Sequence, residues 1–320
     1  MKPVLFVTNH VAAGRVGALD ALGRRVALDV VTFGGRHRHG GAPTGLGRAV
    51  RERDVHALAA GGRYAAVICG TAGRVALPAA YAGARRARVP FVLWSSLWAH
   101  PRTVAHMLGY APTLAIYRGA DAVVTYGEHV SAYVRARGAW RVFVAPQSVD
   151  NAYWSAPAAP RSADFSVLFA GRDAPEKGLR VLREAWDGNG RLEVVSGETD
   201  PARLRNFYAA ARVLVIPSVR TRDFREPWGL VANEAMNQHT AIIATDEVGA
   251  AAGGLVRHER NGLIVPAGDP RGLREAIGRL RDDAELCDRL AAHGRRDVAA
   301  FTHEAWAAGF EAALHEVGAC

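Results

Sequence analysis

Short runs rich in valine, isoleucine, leucine and phenylalanine punctuate this chain, and segments with apolar residues at helical spacing separate them. In the first half, PVLFVTN (3–9), ALDVVTF (27–33), AAVICG (65–70), FVLWSS (91–96), DAVVTY (121–126) and RVFVAP (141–146) read as buried strands. GRVALPAAYAGARRA (73–87) is typical of the helices between them. A strand that returns in the same direction needs a long crossover, so strand and helix in alternation give βαβ units and a parallel sheet. At 151–164, NAYWSAPAAPRSAD, the pattern stops in a proline-, alanine- and serine-rich stretch that reads as a linker. It resumes with SVLFAG (166–171), RLEVVSG (191–197), VLVIPS (213–218), TAIIAT (240–245) and GLIVP (262–266), and ends in a helical segment over 270–317.

A chain of 320 residues exceeds what one core usually serves. The expected architecture is therefore α/β, with two doubly wound, Rossmann-like domains facing a cleft. The expected bounds are an N-terminal domain over 1–150, a linker over 151–164 and a C-terminal domain over 165–320. The last helix is a candidate to return to the N-terminal domain. In such sheets ligands bind outside the carboxyl ends of the strands, so those ends carry the search for function.

Composition narrows the classes. With 49% hydrophobic and 22% charged residues the chain reads as globular rather than disordered. No apolar run approaches the roughly 20 residues that cross a bilayer, and MKPVLFVTNH lacks the apolar stretch of a signal peptide. Cys69, Cys287 and Cys320 are far apart and form no CxxC pair, so neither a zinc site nor a disulfide framework is indicated. These features describe a reduced, cytoplasmic protein. The net charge of +9 suits an anionic ligand, an acidic membrane face or nucleic acid. Its clusters are short (Arg36, His37, Arg38, His39; Arg85, Arg86) and not interleaved with aromatics, which argues against nucleic acid. Of the 40 basic residues only Lys2 and Lys177 are lysines. Lys177 thus stands where a compact, flexible ammonium serves better than a planar fork.

Two stretches of the second half carry chemistry. In SVLFAGRDAPEKG a strand ends at Gly171 and Arg172, then a turn around Pro175 leads to Lys177 and Gly178 at a helix start. Two cations beside backbone N–H groups make an anion site; the alternative is a solvated loop with incidental charges. FREPWGLVANEAM puts Glu226 before a Pro-Trp-Gly turn and Glu234 about one turn inside the following helix. A helical rise separates the two by at most roughly 12 Å. An acidic first turn favourable to the helix dipole explains Glu226 by itself, but not the turn beside it.

In this order, VLFAGRDAPEKG, REPWGLVANEAM and the segment AIIATDEVGAAAGGLVRHERNGLIVPAGDP resemble the C-terminal domain of family-4 retaining glycosyltransferases of the GT-B fold, the glycosyl transferases group 1. The resemblance implies that Arg172 and Lys177, past Gly171, hold the diphosphate of a nucleotide-sugar donor. Glu234 would accept from the ribose hydroxyls, and Glu226 would face the donor sugar near its anomeric carbon. Backbone amides of Trp228, Gly229 and Leu230 would complete the cradle. No Asp-x-Asp motif is present, so the resemblance implies no metal and no cofactor beyond the donor substrate, with a UDP-sugar favoured. The chain departs from the family pattern at His239 and Ala241, where glycine and proline are usual, and in VGAAAGGLV, which lacks a common glutamate.

In the first half NHVAAGRVGALD has Gly14 and Gly17 without GxGxxG, which disfavours a dinucleotide. The resemblance makes Asn9, His10 and Gly14 candidates to approach the donor phosphates. His100 is either the family's histidine near the reacting centre or a surface histidine at the Pro101 turn. Trp94, Trp98 and His106 are candidates for an acceptor pocket or for core packing. Ser148, in VAPQSVD, stands where a hinge glycine is common. The expected activity is transfer of a sugar to a hydroxyl of a small-molecule or glycolipid acceptor, with the short chain tilting toward a small natural product. The alternatives are a nucleotide-sugar epimerase or phosphorylase of the same fold, and a non-catalytic sugar-nucleotide or membrane-surface binding protein. A monomer or homodimer, with room for peripheral membrane contact, completes the expectation.

Overall fold

The computed structural model describes residues 2–34, 44–71, 73 and 75–320. Arg36, His37, Arg38 and His39 lie outside them. The chain forms two compact units, Met1–Pro146 with His303–Cys320, and Gln147–Thr302.

Unit 1 contains strands β1 (Val4–Thr8), β2 (Leu28–Thr32), β3 (Arg48–Ala49), β4 (Ala66–Gly70), β5 (Phe91–Ser95), β6 (Ala122–Thr125) and β7 (Val142–Val144). They pair in parallel in the order β3-β2-β1-β4-β5-β6-β7. Its helices are α1 (Val16–Gly23), α2 (Val55–Ala60), α3 (Ala76–Ala87), α4 (Val104–Leu108), α5 (Tyr110–Gly119) and α6 (Glu128–Arg135). The pleat sends alternate side chains to opposite faces, so a strand buried on both sides reads as one continuous apolar run. In β1, Leu5 and Val7 join one core with Val67 and Leu93, while Val4 and Phe6 join the other with Ile68 and Val92. Each strand expected in this half lies within its apolar run; the two-residue edge strand β3, exposed and without such a run, carried no signal.

Unit 2 contains β8 (Ser166–Ala170), β9 (Arg191–Val195), β10 (Val213–Ile216), β11 (Ala241–Thr245) and β12 (Leu263–Val265), parallel in the order β12-β11-β10-β8-β9. Its helices are α7 (Asn151–Ser155), α8 (Leu179–Ala185), α9 (Pro201–Ala210), α10 (Val231–Asn237), α11 (Gly249–Ala252), α12 (Pro270–Asp282) and α13 (Ala284–Val298). A final helix, α14 (His303–Glu316), belongs to unit 1, where Trp306 and Phe310 are fully buried with their rings 4.4 Å apart. The α/β doubly wound architecture of both halves is as the alternation implied.

Two details depart from the pattern reading. The stretch read as a linker opens with α7: Asp150 caps it by accepting from the Tyr153 N–H at 2.9 Å, and Trp154 is buried with its ring 5.9 Å from that of Tyr208. An N-cap and an aromatic anchor hold these residues in unit 2, and the prolines follow the helix rather than replace it. The second detail is His239, at φ +57° just past the C-cap of α10. Glycine is the usual residue there because a Cβ is strained in the left-handed region. The departure from the family pattern at this site therefore has a backbone cost. His239→Gly is expected to stabilise the protein by about 0.5–1 kcal/mol in chemical denaturation; a loss of stability would contradict that account.

Candidate functional site

In unit 2 the chain runs outward from β8 to β9 on one side and from β10 through β11 to β12 on the other. The switch point of this sheet lies between β8 and β10, and the loops that leave its two strands diverge there into a crevice, the usual ligand position in an open α/β sheet. The loop after β8 carries Gly171, Arg172 and Lys177; the loop after β10 carries Glu226 and the Pro-Trp-Gly turn.

Gly178 lets these loops meet. It has φ +70°, and a Cβ there would lie 1.8 Å from the carbonyl oxygen of Pro217. Only glycine permits that approach. The Val219 N–H donates to the Glu176 carbonyl at 2.9 Å, so the two loops also share a backbone hydrogen bond. Across this seam Lys177 Nζ donates to Glu226 Oε2 at 2.5 Å, and Ser218 Oγ donates to the same oxygen at 3.5 Å. The Glu226 side chain is 8% exposed and that of Lys177 is 22% exposed. Pairing and hydrogen bonding offset the cost of sheltering such charges from water.

Arg172 lies one step away with its Nη2 on Glu176 Oε1 at 2.9 Å. Glu176 is itself buried, so its carboxylate fixes the guanidinium at the strand end. The Gly171 N–H donates to the Val195 carbonyl at 3.1 Å, which closes the end of β8 against β9.

The Glu226 loop is held from the other side by the turn after β11. Glu226 and Val248 form a parallel bridge, the Gly249 N–H donates to the Glu226 carbonyl at 3.1 Å, and that of Ala250 donates to the Trp228 carbonyl at 2.7 Å. A Cβ on Gly249 would lie 2.0 Å from the Pro227 oxygen. The segment that departs from the family pattern in VGAAAGGLV thus works as backbone scaffold for Glu226. Trp228 is an anchor: its buried indole donates from Nε1 to Asn233 Oδ1 at 2.8 Å and packs 5.9 Å from the ring of Phe301. Gly229, at φ +92°, turns the chain so that Leu230 becomes the N-cap position of α10.

Glu234 lies inside α10, where Tyr208 Oη donates to its Oε2 at 2.8 Å. The residue keeps partial solvent exposure, yet burial of the carboxyl raises its pKa to about 7, opposed by the hydrogen bond from Tyr208. Burial and the neighbouring carboxylate push the Tyr208 hydroxyl upward as well. The pattern of the sequence gave no sign of Tyr208, Glu176 or Ser218 as partners.

In unit 1 the switch point lies between β1 and β4, and His10 and Gly14 follow β1. Asn9 is buried, and Thr8 Oγ1 donates to its Oδ1 at 3.2 Å. A Cβ on Gly14 would meet nothing within 4 Å. His100 Nε2 lies 3.0 Å from the carbonyl oxygen of His106, with its ring 4.7 Å from that of Tyr110. Thr103 Oγ1 lies 2.7 Å from His106 Nδ1, so His100, in the loop before α4, and His106, within α4, are built into one corner. Trp98 packs in the core at 4.9 Å from the His129 ring, and Trp94 stacks among Phe6, Trp306 and Phe310. Ser148 is buried in unit 2. Among the described residues no group of three His, Cys, Asp or Glu could hold a metal ion, and no helix is long and apolar enough to cross a membrane.

The Glu234 environment makes a signed prediction. Between about pH 7 and pH 4.5 the folded carboxyl holds a proton that the unfolded one releases, so its contribution to stability grows as pH falls through that window and levels off below it. Relative to Glu234→Gln, the protein is expected to gain at most about 3 kcal/mol between pH 8 and pH 4.5, read by urea denaturation at several pH values. A difference that grows toward high pH would contradict the assignment.

Residues 142–283 match the family model of glycosyl transferases group 1. The chain is 33% identical over 142 residues to a D-inositol 3-phosphate glycosyltransferase of a Nocardioides species, an alignment covering 42% of this chain and 29% of that relative. It is 30% identical over 178 residues to the lipopolysaccharide core biosynthesis glycosyltransferase LpsD of Rhizobium meliloti, covering 55% of this chain and 44% of the relative. The chain thus spans less than half the length of these relatives. Among solved structures it resembles a sucrose-phosphate synthase from Thermosynechococcus elongatus, with TM-score 0.76, 19% identity and full coverage of both chains. It also resembles Anabaena HepE solved in complex with UDP, with TM-score 0.77, 15% identity, and coverage of 98% of this chain and 100% of that one. At these identities the structural likeness speaks for the fold alone. The motifs at the switch point of unit 2 fall inside the segment that matches the glycosyl transferases group 1 model, and both units have the α/β architecture of the GT-B fold.

Proposed function

We propose that the protein transfers a sugar from a nucleoside-diphosphate sugar to a hydroxyl of an acceptor, with retention of anomeric configuration and a UDP-sugar as donor. The observation that carries this reading is the joining of Lys177 and Glu226 at the switch point of unit 2, with Arg172 on the same strand-end loop. Two cations at a strand end suit a diphosphate. A sheltered carboxylate beside them suits the hydroxyls of the sugar attached to it. Support for the nucleotide comes from HepE, solved with UDP and, separately, with UDP-glucose.

The chemistry of this arrangement follows from charge. As the bond from the anomeric carbon to the diphosphate breaks, negative charge grows on the leaving phosphate and positive charge on the sugar. Lys177 and Arg172 meet the first, with no metal ion, and Glu226 meets the second while bonding the sugar hydroxyls. Retention then follows from front-face attack, with the leaving phosphate taking the acceptor's proton. Lys177 exchanges its bond to Glu226 for one to phosphate, which turns Glu226 toward the sugar. Backbone amides at Trp228, Gly229 and Leu230 line the cradle, and Glu234 takes the ribose hydroxyls. His100 is assigned to the corner it forms with His106 rather than to proton transfer. The donor serves as substrate with no further cofactor, and the reaction is placed in the cytoplasm.

Release of nucleoside diphosphate from UDP-, GDP- and TDP-sugars, with a panel of hydroxyl acceptors, tests the proposal. Glu226→Gln and Lys177→Met are each expected to lower kcat more than about a hundredfold, or about 2.7 kcal/mol of transition-state stabilisation. Because Lys177→Met removes the cation beside a sheltered carboxylate, the double variant serves as the stability control. Rates within a few-fold of the parent protein, with melting unchanged, would reject the site. Conversion of the donor without acceptor would point instead to an epimerase.

A further inference from the structure

Surface helices normally turn their apolar stripe toward the core. Along α4 and α5 the opposite holds. Val104, Met107, Leu108, Ala111, Pro112 and Ala115 recur at helical spacing, and all are exposed. The first three are 69%, 64% and 79% exposed, among the highest values for large apolar residues in the described chain. α5 is anchored on its other side by Ile116 and Tyr117, both buried. The corner that aims the stripe outward is built by polar contacts: His100 Nε2 with the His106 carbonyl at 3.0 Å, and Thr103 Oγ1 with His106 Nδ1 at 2.7 Å.

The charge around this stripe is one-sided. From residue 55 to residue 120 the sequence contains no aspartate or glutamate and seven arginines. Exposed Arg102 precedes α4, and exposed Arg118 lies in the last turn of α5. The imbalance extends to the whole unit. Unit 1 holds 19 lysines and arginines against nine acidic residues, whereas unit 2 holds 21 against 22. The net charge of +9 is therefore carried by unit 1 alone.

We propose that the α4–α5 face of unit 1 docks on an anionic lipid bilayer, with Val104, Met107 and Leu108 entering the acyl boundary and the flanking arginines meeting the headgroups. An outward apolar stripe with a cationic surround is the pattern that lies in a membrane interface: apolar burial supplies depth, and the basic residues supply selectivity for negative lipid. A second copy of the chain suits this face less well, because it would bring another +10 unit against the first. The proposal is independent of the sugar-transfer reading, since no residue of it lies in unit 2.

Flotation of the purified full chain with extruded vesicles tests it, comparing phosphatidylcholine alone with phosphatidylcholine containing about a third phosphatidylglycerol. The expected result is at least about tenfold more protein on the anionic vesicles, reduced by high salt. Met107→Glu/Leu108→Glu is expected to lower the bound fraction about tenfold or more at unchanged melting temperature. Met107→Ser/Leu108→Ser provides the same reading should the charged pair disturb folding. No binding, equal binding to neutral vesicles, or full binding by both variants would overturn the proposal. So would a dimer in sedimentation velocity that the variants dissociate while the parent protein ignores vesicles.

Discussion

One sheltered ion pair, Lys177 with Glu226, ties together the two loops that leave the switch point of unit 2. The pair sits at a seam where Gly178 admits the Pro217 carbonyl to a distance no side chain allows. The sheet sets the positions of the two loops, the glycine brings them into contact, and the contact fixes the carboxylate. Gly249 does the same from β11 by letting the Pro227 carbonyl approach, so Glu226 is held by backbone on both sides. A site built on strand ends and close backbone contacts has little freedom to relax, and catalysis by charge stabilisation needs that rigidity.

In this structure both cations are already engaged with carboxylates, Lys177 with Glu226 and Arg172 with Glu176. The sequence suggested two cations awaiting an anion; the structure presents two ion pairs that an anion would have to rearrange. The exchange suits a donor that brings about as much negative charge as it displaces. In the proposed reaction the same lysine organises the loops before binding and meets the diphosphate afterwards. Glu234 belongs to a separate environment, in which burial raises the carboxyl pKa against the opposing hydrogen bond from Tyr208.

Much of this was legible in the sequence. Strands buried on both faces, such as Val4–Thr8, Ala66–Gly70 and Ala241–Thr245, read as unbroken apolar runs, while the exposed two-residue edge strand Arg48–Ala49 left no such run. Arg172, Lys177, Glu226 and Glu234 were legible because they sit in short motifs with turn residues around them. Their partners were not: Tyr208 is 26 positions from Glu234, and Gly178 meets Pro217 across 39 positions. Side-chain roles also escaped the pattern. The role of the Trp228 indole, which braces α10 through Asn233, had no signal in the pattern. Of the two roles open to Trp94 and Trp98, an acceptor pocket or core packing, the structure shows packing against the cores of unit 1, and the short helix Asn151–Ser155 lies just before the prolines that mark the expected linker, with only the Asp150 cap to signal it.

The two units divide the physical tasks. Unit 2, near charge balance, carries the paired cluster at its switch point; unit 1 carries the excess of arginine and the outward apolar stripe. The central claim is that the cluster at β8 and β10 exists to receive a diphosphate. Calorimetric titration with UDP and with uridine measures that directly. The account predicts that UDP binds at least about tenfold more tightly than uridine and that Lys177→Met abolishes most of the difference. Equal affinities for the two ligands, or a preference for UDP untouched by the substitution, would contradict it.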